Sequence, residues 1–248
     1  MNILFLLAGR GKRLGEMTKT IPKPLVDING KSIIIRSLEK LTKYKVNKIF
    51  IVVGYRYKKI INEIGKKYNG IEIVYIRNNI WMKTNNMYSL YLAKNILLED
   101  DVLIVEGDVL FTEEIVKKIF DCKYDNFAVV SPWKNGMDGG RLIVSSLNEV
   151  EDWSISRNNE SGGKNMFKSV GIFKSHLLFS QKYFAPALLY YSKQAKAKRN
   201  MYYDDILSEL LHKHKGMIKA LNVRKSKWIE IDNKNDYLIA LKMFDKYE

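Results

Sequence analysis

Cysteine and histidine are scarce in this chain of 248 residues, which has one cysteine, Cys122, and three histidines. A single cysteine excludes an internal disulfide, and one free thiol is typical of a reducing compartment, so we expect a cytoplasmic protein. His176, His212 and His214 have no companions at zinc-ligand spacing. Two of them stand two residues apart, where helical side chains point to different sides, so a zinc site is not expected.

Long apolar runs, repeats and low-complexity linkers are also missing. No apolar stretch reaches the length that spans a bilayer, so no membrane span is expected. The run at residues 2–7, NILFLL, is followed by basic residues, whereas a secretory signal has them in front, and its length predicts a buried strand. Because no linker interrupts the chain, we expect a single domain over residues 1–248, with halves of about 1–125 and 126–248.

Negative charge is in deficit, since 42 Lys and Arg face 27 Asp and Glu, a net charge of +15. Such an excess suits a phosphate-rich partner, whether nucleotide, nucleic acid or anionic membrane, but a lysine-rich surface without a partner explains it equally. The basic tract with neighbouring aromatics at residues 193–203, KQAKAKRNMYY, is a weak candidate for a nucleic-acid-binding stripe. We therefore expect no nucleic-acid partner.

Apolar strand-length runs alternate with amphipathic helical segments along the first half. The expected strands are 2–7, 48–53, 71–76 and 102–105, and the expected helices are 31–44, 57–68 and 86–97. This order predicts an α/β fold with a mixed, mainly parallel sheet flanked by helices. Ligands bind such sheets beyond the carboxyl ends of the strands.

The second half is less regular. Its expected strands are 128–131, 141–144, 168–173 and 228–231, its expected helices are 180–196, 203–213 and 235–247, and turn-rich or loop segments are expected at 136–140 and 158–165.

The residues that carry chemistry begin with the loop after the first strand, in the segment LAGRGKRLGEMTKTIPKPL at residues 7–25. Gly9 and Gly11 permit a tight turn whose backbone N–H groups face a ligand, and close backbone approach together with cations is what polyphosphate binding needs. The cations are Arg10, Lys12, Arg13 and Lys23. The Walker A pattern is absent, and Leu14 stands where a dinucleotide fingerprint has its third glycine.

G-x-G-x-R-L followed by P-K-P-L resembles the signature of the sugar-phosphate and phosphocholine nucleotidyltransferase family. The family pattern usually reads L-A-A-G, and Leu7 stands in the first Ala position. The resemblance implies a Rossmann-like fold of the nucleotide-diphospho-sugar transferase type, with nucleotide-binding and acceptor-binding halves. It also implies a single displacement: an acceptor phosphate oxygen attacks the α-phosphorus of a nucleoside triphosphate, and pyrophosphate leaves.

The same resemblance assigns roles in the loop. Leu7, Ala8, Gly9 and Gly11 line the nucleotide, while Arg13 and Lys23 neutralise the triphosphate and are the expected catalytic residues. The family also uses Mg²⁺, which favours carboxylates, waters and substrate phosphates. Asp108 and Asp232 match its metal-binding positions, although each also precedes a helical segment that it would cap.

The segment NNMYSLYLAKNIL from Asn85 resembles phosphocholine and 2-aminoethylphosphonate cytidylyltransferases. It makes Asn86 and Ser89 candidates for reading the pyrimidine of CTP, because an amide and a hydroxyl satisfy the donors and acceptors of a cytosine edge. A helix N-cap is the alternative for Asn86.

Acceptor-binding candidates lie in the second half. They are Asp138, Lys168, Tyr203 (or Tyr202), Asp204 and Glu230. Lys168 would bind the acceptor phosphate, and the carboxylates and an aromatic face would surround an ammonium. Met201, Gly139 and Gly140 stand where choline-specific enzymes have cage residues.

We therefore expect an amine-bearing phosphate or phosphonate acceptor, used for capsule or surface-glycan/lipid decoration. The departure from the cage argues against phosphocholine, but the sequence does not decide between it and phosphoethanolamine, aminoethylphosphonate or a phosphorylated amino-acid amide. The alternatives are a sugar-1-phosphate nucleotidyltransferase using UTP or dTTP, a catalytically silent relative, and a basic nucleic-acid-binding protein. Whether the protein is a monomer or a homodimer stays open.

Overall fold

A computed structural model of the protein describes residues 1–156, 162–194 and 200–245. The strands of the described part are β1 (Asn2–Leu7), β2 (Asp27–Ile28), β3 (Lys31–Ser32), β4 (Ile49–Val53), β5 (Lys67–Tyr68), β6 (Ile71–Arg77), β7 (Val102–Glu106), β8 (Val109–Phe111), β9 (Phe127–Pro132), β10 (Gly139–Val144), β11 (Val150–Ser156), β12 (Met166–Ser175), β13 (Lys219–Asn222) and β14 (Trp228–Glu230). The α-helices are α1 (Ile33–Leu41), α2 (Tyr57–Ile64), α3 (Asn86–Leu92), α4 (Glu113–Asp121), α5 (Leu177–Phe179), α6 (Ala185–Ser192), α7 (Tyr203–Lys213) and α8 (Lys234–Met243).

One sheet runs through both halves in the order β11-β10-β12-β7-β1-β4-β6-β5, with β9 paired to β12 and β13. Strands β7, β1, β4 and β6 are parallel neighbours, and β12 joins β7 in the antiparallel direction. Helices flank this sheet, so the expected Rossmann-like, mixed and mainly parallel architecture is confirmed. The carboxyl ends of β1, β4 and β7 consequently meet at one edge.

The core lies on both faces of the sheet, since successive side chains of a strand point to opposite faces. Leu4 and Leu6 of β1 pack with α3 and α7, whereas Ile3 and Phe5 pack with α1, α2 and α4. All six residues of β1 are buried, which explains why its sequence is a continuous apolar run rather than an alternating one. A third cluster, which includes Leu14 and Phe244, packs the glycine-rich loop against α8.

Several expected boundaries were wrong. The helix expected at 57–68 ends at Ile64, because Gly65 takes a positive φ of 81° and the chain returns as β5. The helices expected at 31–44 and 86–97 are shorter, as α1 and α3. A helical run that includes a π-turn at Ser180–Phe184 joins α5 to α6 and ends at Ser192.

The short strands β2, β3, β5 and β8 were missed, and so were β11 and β13. Strand β11, with the sequence VEDWSIS, buries Val150, Trp153 and Ser156, a spacing that does not follow the alternation of a half-buried strand. Parts of the expected loop at 158–165, of the helix at 180–196 and of the closing helix lie outside the described residues. Within the described chain, no helix has the length and apolar character needed to cross a membrane.

Candidate active site

Lys23 stands at the centre of the edge where β1 and β7 end. Its Nζ atom donates hydrogen bonds of 2.7 Å to Oδ2 of Asp108 and 2.7 Å to Oδ1 of Asp232, and the residue is 8% exposed. Burial alone lowers the pKa of Lys23, but the two carboxylates outweigh it and raise that pKa above its usual value. Gly11 has a φ of 72°, and a Cβ atom there would lie 2.7 Å from Cβ of Lys23, so the signature glycine makes room for this lysine.

A short ribbon explains why Asp108 and Asp232 meet although 124 positions separate them. Strands β8 and β14 pair antiparallel, and the backbone N–H of Ile231 donates to the carbonyl of Asp108 at 2.9 Å. Arg13 adds a second cation, with Nη2 lying 2.8 Å from Oδ1 of Asp232. Burial raises the pKa of Asp232, but Lys23 and Arg13 together hold it below its usual range.

The capping alternatives for the candidate polar residues are wrong. Thr112 occupies the N-cap position of α4, Asn233 caps α8, and Asn85 caps α3. The side chains of Asp108 and Asp232 are therefore available to the site. Asn86 is likewise free of capping: its Nδ2 donates to Oε1 of Glu106 at 3.3 Å, and its Oδ1 accepts from the backbone N–H of Tyr203 at 3.0 Å.

The carboxylates at this edge fit a hard divalent cation. Oδ1 of Asp108 is buried and has no hydrogen-bond partner among the described residues. Carboxylate oxygens of Glu106, Asp108 and Glu230 lie within 4.8 Å of one another. Mg²⁺ takes oxygen ligands of this kind. Sequence reasoning missed Glu106, although it stands two residues before Asp108 at the end of β7. Oδ1 of Asp232, the other expected ligand, already accepts from two cations.

The first cavity, of about 290 Å³, opens over the glycine-rich loop. Every nucleotide-binding candidate contributes to its wall: Leu7, Ala8, Gly9, Gly11, Arg13, Lys23, Asn86, Ser89 and Asp108. Asn78, Trp81 and Thr84 also line it and were missed. Asn78 directly follows β6, and the rule that ligands sit beyond strand ends was a signal for it.

The glycine-rich loop is fixed from outside by Tyr55. The Tyr55 hydroxyl donates to the carbonyl of Lys19, and the guanidinium of Arg10 lies 5.7 Å from the centre of the Tyr55 ring. Trp81 packs edge-on against the same ring at 5.3 Å. Gly54 directly follows β4, and a Cβ atom there would lie 2.6 Å from the carbonyl oxygen of Ala8. A glycine is therefore required at position 54, where the chain passes the start of the glycine-rich loop.

The second cavity, of about 420 Å³, adjoins the first and contains most acceptor-binding candidates. Nζ of Lys168 donates to Oε2 of Glu230 at 2.7 Å, and Oδ1 of Asp204 accepts from the indole of Trp153 at 2.8 Å. Burial raises the pKa of Asp204 to about 6. Burial also raises the pKa of Glu230, against the opposing charge of Lys168, to about 7.

The remaining acceptor candidates divide by exposure. Tyr202 lines both cavities, whereas Tyr203 is 1% exposed and lies behind the wall, where burial and the neighbouring Glu106 raise its pKa. Asp138 lies at the rim, with Oδ2 3.6 Å from Nη1 of Arg13. A Cβ atom at Gly139 would lie 2.9 Å from Nζ of Lys168, so a side chain there would crowd the lysine.

The family model of the MobA-like NTP transferase domain matches residues 3–212. The chain therefore belongs to this family and is a nucleotidyltransferase. It is 26% identical over 263 residues to the CTP:phosphoglutamine cytidylyltransferase of Campylobacter jejuni, covering 97% of this chain and 99% of that protein. It is 25% identical over 233 residues to the CMP-5'-(3-aminopropyl)phosphonate synthase of Streptomyces rubellomurinus, covering 93% of this chain but only 37% of that longer protein.

Among solved structures, the CTP:phosphocholine cytidylyltransferase of Streptococcus pneumoniae matches with a TM-score of 0.79. The alignment covers 97% of both chains at 22% sequence identity. At that identity the likeness establishes the fold, which agrees with the resemblance found in the sequence.

Proposed function

We propose that the protein transfers CMP from CTP to a small acceptor that bears both an amine and a phosphate or phosphonate, and releases pyrophosphate. The observation that carries this proposal is the make-up of the second cavity. The buried carboxylate of Asp204 and the partly exposed carboxylate of Glu230 stand there beside one buried ammonium, that of Lys168. An acceptor with one cationic and one anionic end matches such a lining, because buried charges need partners of opposite sign.

Two of the related proteins support the choice of substrates. One is named for CTP and phosphoglutamine, and the other for a CMP-linked aminopropylphosphonate. Both names combine a cytidine nucleotide with an acceptor that carries nitrogen and phosphorus. We further propose that the product serves capsule or surface-glycan decoration, a role for which such activated groups are suited.

The chain's own residues supply positioning and charge. Lys23 and Arg13 face the polyphosphate side of the first cavity, where they balance charge as pyrophosphate departs. Lys168 holds the acceptor phosphate. An oxygen of that phosphate attacks the α-phosphorus of CTP while the bond from the α-phosphorus to pyrophosphate breaks. Transfers of this type need little covalent chemistry from the protein, and holding the reactants in line accounts for much of the acceleration.

We propose that Asp108 and Asp232 hold Mg²⁺, with the carboxylates of Glu106 and Glu230 close by. Support comes from the buried Oδ1 of Asp108, which has no hydrogen-bond partner in the described part of the chain. When bound there, the cation would neutralise triphosphate charge and help to orient it. Lys23, which bridges the two aspartates, would then turn its ammonium toward the phosphates.

A sugar-1-phosphate acceptor with UTP or dTTP is the alternative. A hexose phosphate brings no cation, and its phosphate would draw Lys168 away from Glu230, so neither Glu230 nor Asp204 would keep a cationic partner in the second cavity. This argument favours the amine-bearing acceptor.

The test is pyrophosphate release with CTP, UTP, dTTP, ATP and GTP, each against a panel of acceptors in the presence of Mg²⁺. The panel holds phosphocholine, phosphoethanolamine, 2-aminoethylphosphonate, phosphorylated amino-acid amides and hexose 1-phosphates. We expect release with CTP and one primary-amine acceptor, and a large loss of that release in Asp204→Asn. Release with hexose 1-phosphates alone would overturn the acceptor class, and release with UTP or dTTP in place of CTP would overturn the nucleotide.

A further inference from the structure

The first cavity contains a buried amide, Asn78, that none of the roles above uses. Asn78 is 1% exposed and follows the last residue of β6. Its Nδ2 donates to Oγ of Ser89 at 3.1 Å and to Oγ1 of Thr84 at 3.1 Å. All three residues line the cavity in which the proposed function places the nucleotide.

The orientation of the Asn78 amide is fixed by the backbone. The N–H of Ile80 donates to Oδ1 of Asn78 at 3.1 Å, so that atom must be the oxygen. The nitrogen of the amide therefore faces the hydroxyls of Thr84 and Ser89, and it can only donate to them.

The two hydroxyls consequently differ. The hydroxyl of Thr84 donates a hydrogen bond to the carbonyl of Ile80 at 3.2 Å, so its donor is satisfied within the protein. Ser89 is 3% exposed and accepts from Asn78, and its proton has no acceptor among the described residues. A buried hydroxyl with an unused proton costs free energy until a ligand accepts it.

We infer that Asn78 is a specificity-determining positioning residue: it holds the Ser89 hydroxyl as a hydrogen-bond donor, and this polarity selects cytosine over uracil. The inference rests on the proposed function, since it concerns the nucleotide of that same site. Position 3 of cytosine is a bare nitrogen that accepts a hydrogen bond, whereas position 3 of uracil carries an N–H. A hydroxyl of Ser89 held as a donor forms a hydrogen bond with N3 of cytosine. The same hydroxyl would face the N3–H donor of uracil, and two donors cannot pair.

Replacing one atom of the network should reverse the preference. In Asn78→Asp, the carboxylate still accepts from the backbone N–H of Ile80, but it also accepts the proton of Ser89. The oxygen of Ser89 then presents lone pairs to the base and accepts from N3–H of uracil. We expect the parent protein to bind CTP more tightly than UTP by about tenfold or more, and Asn78→Asp to bind UTP more tightly than CTP. One unsatisfied buried polar group sets this scale.

The experiment is calorimetric titration of the full chain with CTP and with UTP, each with Mg²⁺, at pH 8, where an aspartate is ionised. Binding needs no acceptor, so the result does not depend on which acceptor is used. Asn95→Asp is the matched control, because it makes the same substitution at an exposed asparagine that lines neither cavity. We expect this control to keep the CTP preference of the parent protein.

The outcomes separate the two proposals. Preference for CTP in the parent and unchanged preference in Asn78→Asp would overturn the role of Asn78 and leave the proposed function standing. A parent protein that binds neither pyrimidine nucleotide would overturn the proposed function itself. If Asn78→Asp fails to fold in a thermal melt, Ser89→Ala is measured instead. We expect its affinities for CTP and UTP to differ by no more than about threefold. Retention of the full CTP preference would overturn the inference.

Discussion

The indole Nε1 of Trp153 donates a 2.8 Å hydrogen bond to Oδ1 of Asp204, and both side chains are buried. Trp153 lies on the edge strand β11, and Asp204 lies in the first turn of α7. This bond fixes a carboxylate in the wall of the second cavity, and it partly offsets the effect of burial, which raises the pKa of Asp204.

Trp153→Phe should weaken acceptor binding without abolishing turnover. The phenyl ring keeps much of the apolar packing, but the carboxylate of Asp204 loses its donor and is oriented less firmly. We expect the KM for the acceptor to rise by about three- to tenfold, with kcat and the KM for CTP nearly unchanged. This rise is less than the full scale of one hydrogen bond to a charged group, because the carboxylate itself stays in the cavity. Steady-state kinetics with each substrate varied in turn provides the measurement. An equal change in both KM values would contradict the assignment of Asp204 to the acceptor cavity.

Lys23→Ala should reduce turnover by about a hundredfold or more, because it removes a cation aimed at the departing pyrophosphate. The carboxylate of Asp108 then loses its cationic partner and that of Asp232 keeps only Arg13, so we also expect a lower Tm, with the protein still folded at room temperature. Asp108→Ala should likewise reduce turnover by orders of magnitude. Turnover and thermal melts are compared with Lys117→Ala, an exposed lysine of α4. Near-normal turnover in either variant would remove that residue from the catalytic site.

Tyr55→Phe tests how the glycine-rich loop is held. The variant loses the hydroxyl that donates to the carbonyl of Lys19, while the ring that contacts Arg10 and Trp81 stays. We expect the KM for CTP to rise by about two- to tenfold and kcat to change little, since one neutral hydrogen bond orders the loop. The control is Tyr190→Phe, on the exposed side of α6. A fall in kcat at unchanged KM would show that Tyr55 positions the cations of this loop for the chemical step rather than the loop for nucleotide binding.

Lys40 provides a test of stability against pH. Burial, aided by the neighbouring Arg36, lowers the pKa of Lys40 to about 8, whereas an unfolded lysine titrates near 10.4. Between these values the unfolded chain binds more protons, so this residue makes the free energy of unfolding rise with pH. Lys40→Met should therefore be more stable than the parent at pH 7, by on the order of 2 kcal/mol. The difference should shrink toward pH 10.

Thermal melts of Lys40→Met and the parent at pH 7, 8.5 and 10 measure that difference. Lys45→Met, at an exposed lysine just after α1, is the control and should show no comparable trend. A stability difference that does not depend on pH would mean that apolar packing, rather than charge, accounts for it.

The parts of the site that follow from the sequence are those carried by local patterns. Gly9, Gly11 and Lys23 stand within one short signature, and Asp108 follows a buried strand that its apolar run predicts. The resemblance to known transferases then supplied Asp232, which the β8–β14 ribbon brings beside Asp108. The expected sheet was right because its apolar runs are long and regular.

The residues that sequence reasoning missed depend on contacts distant along the chain. Glu106 becomes notable only when Asn86 and Glu230 stand beside it, and Trp153 only when α7 places Asp204 within its reach. Asn78 is an ordinary polar residue at a strand end until the orientation of its amide is known. The strand-end positions of Asn78 and Glu106 were signals, but position alone does not give the roles of such residues, because those roles depend on side-chain orientation.

The ribbon of β8 and β14 has a consequence for biosynthesis. Chains are made from the amino end, and domains generally fold as units. Lys23 and Asp108 are both translated in the first half, whereas Asp232 joins them only after β14 has been made and docks on β8. A nascent or prematurely terminated chain would thus contain the whole glycine-rich loop and still lack a complete catalytic centre. Only chains that have folded through β14 would therefore consume nucleotide.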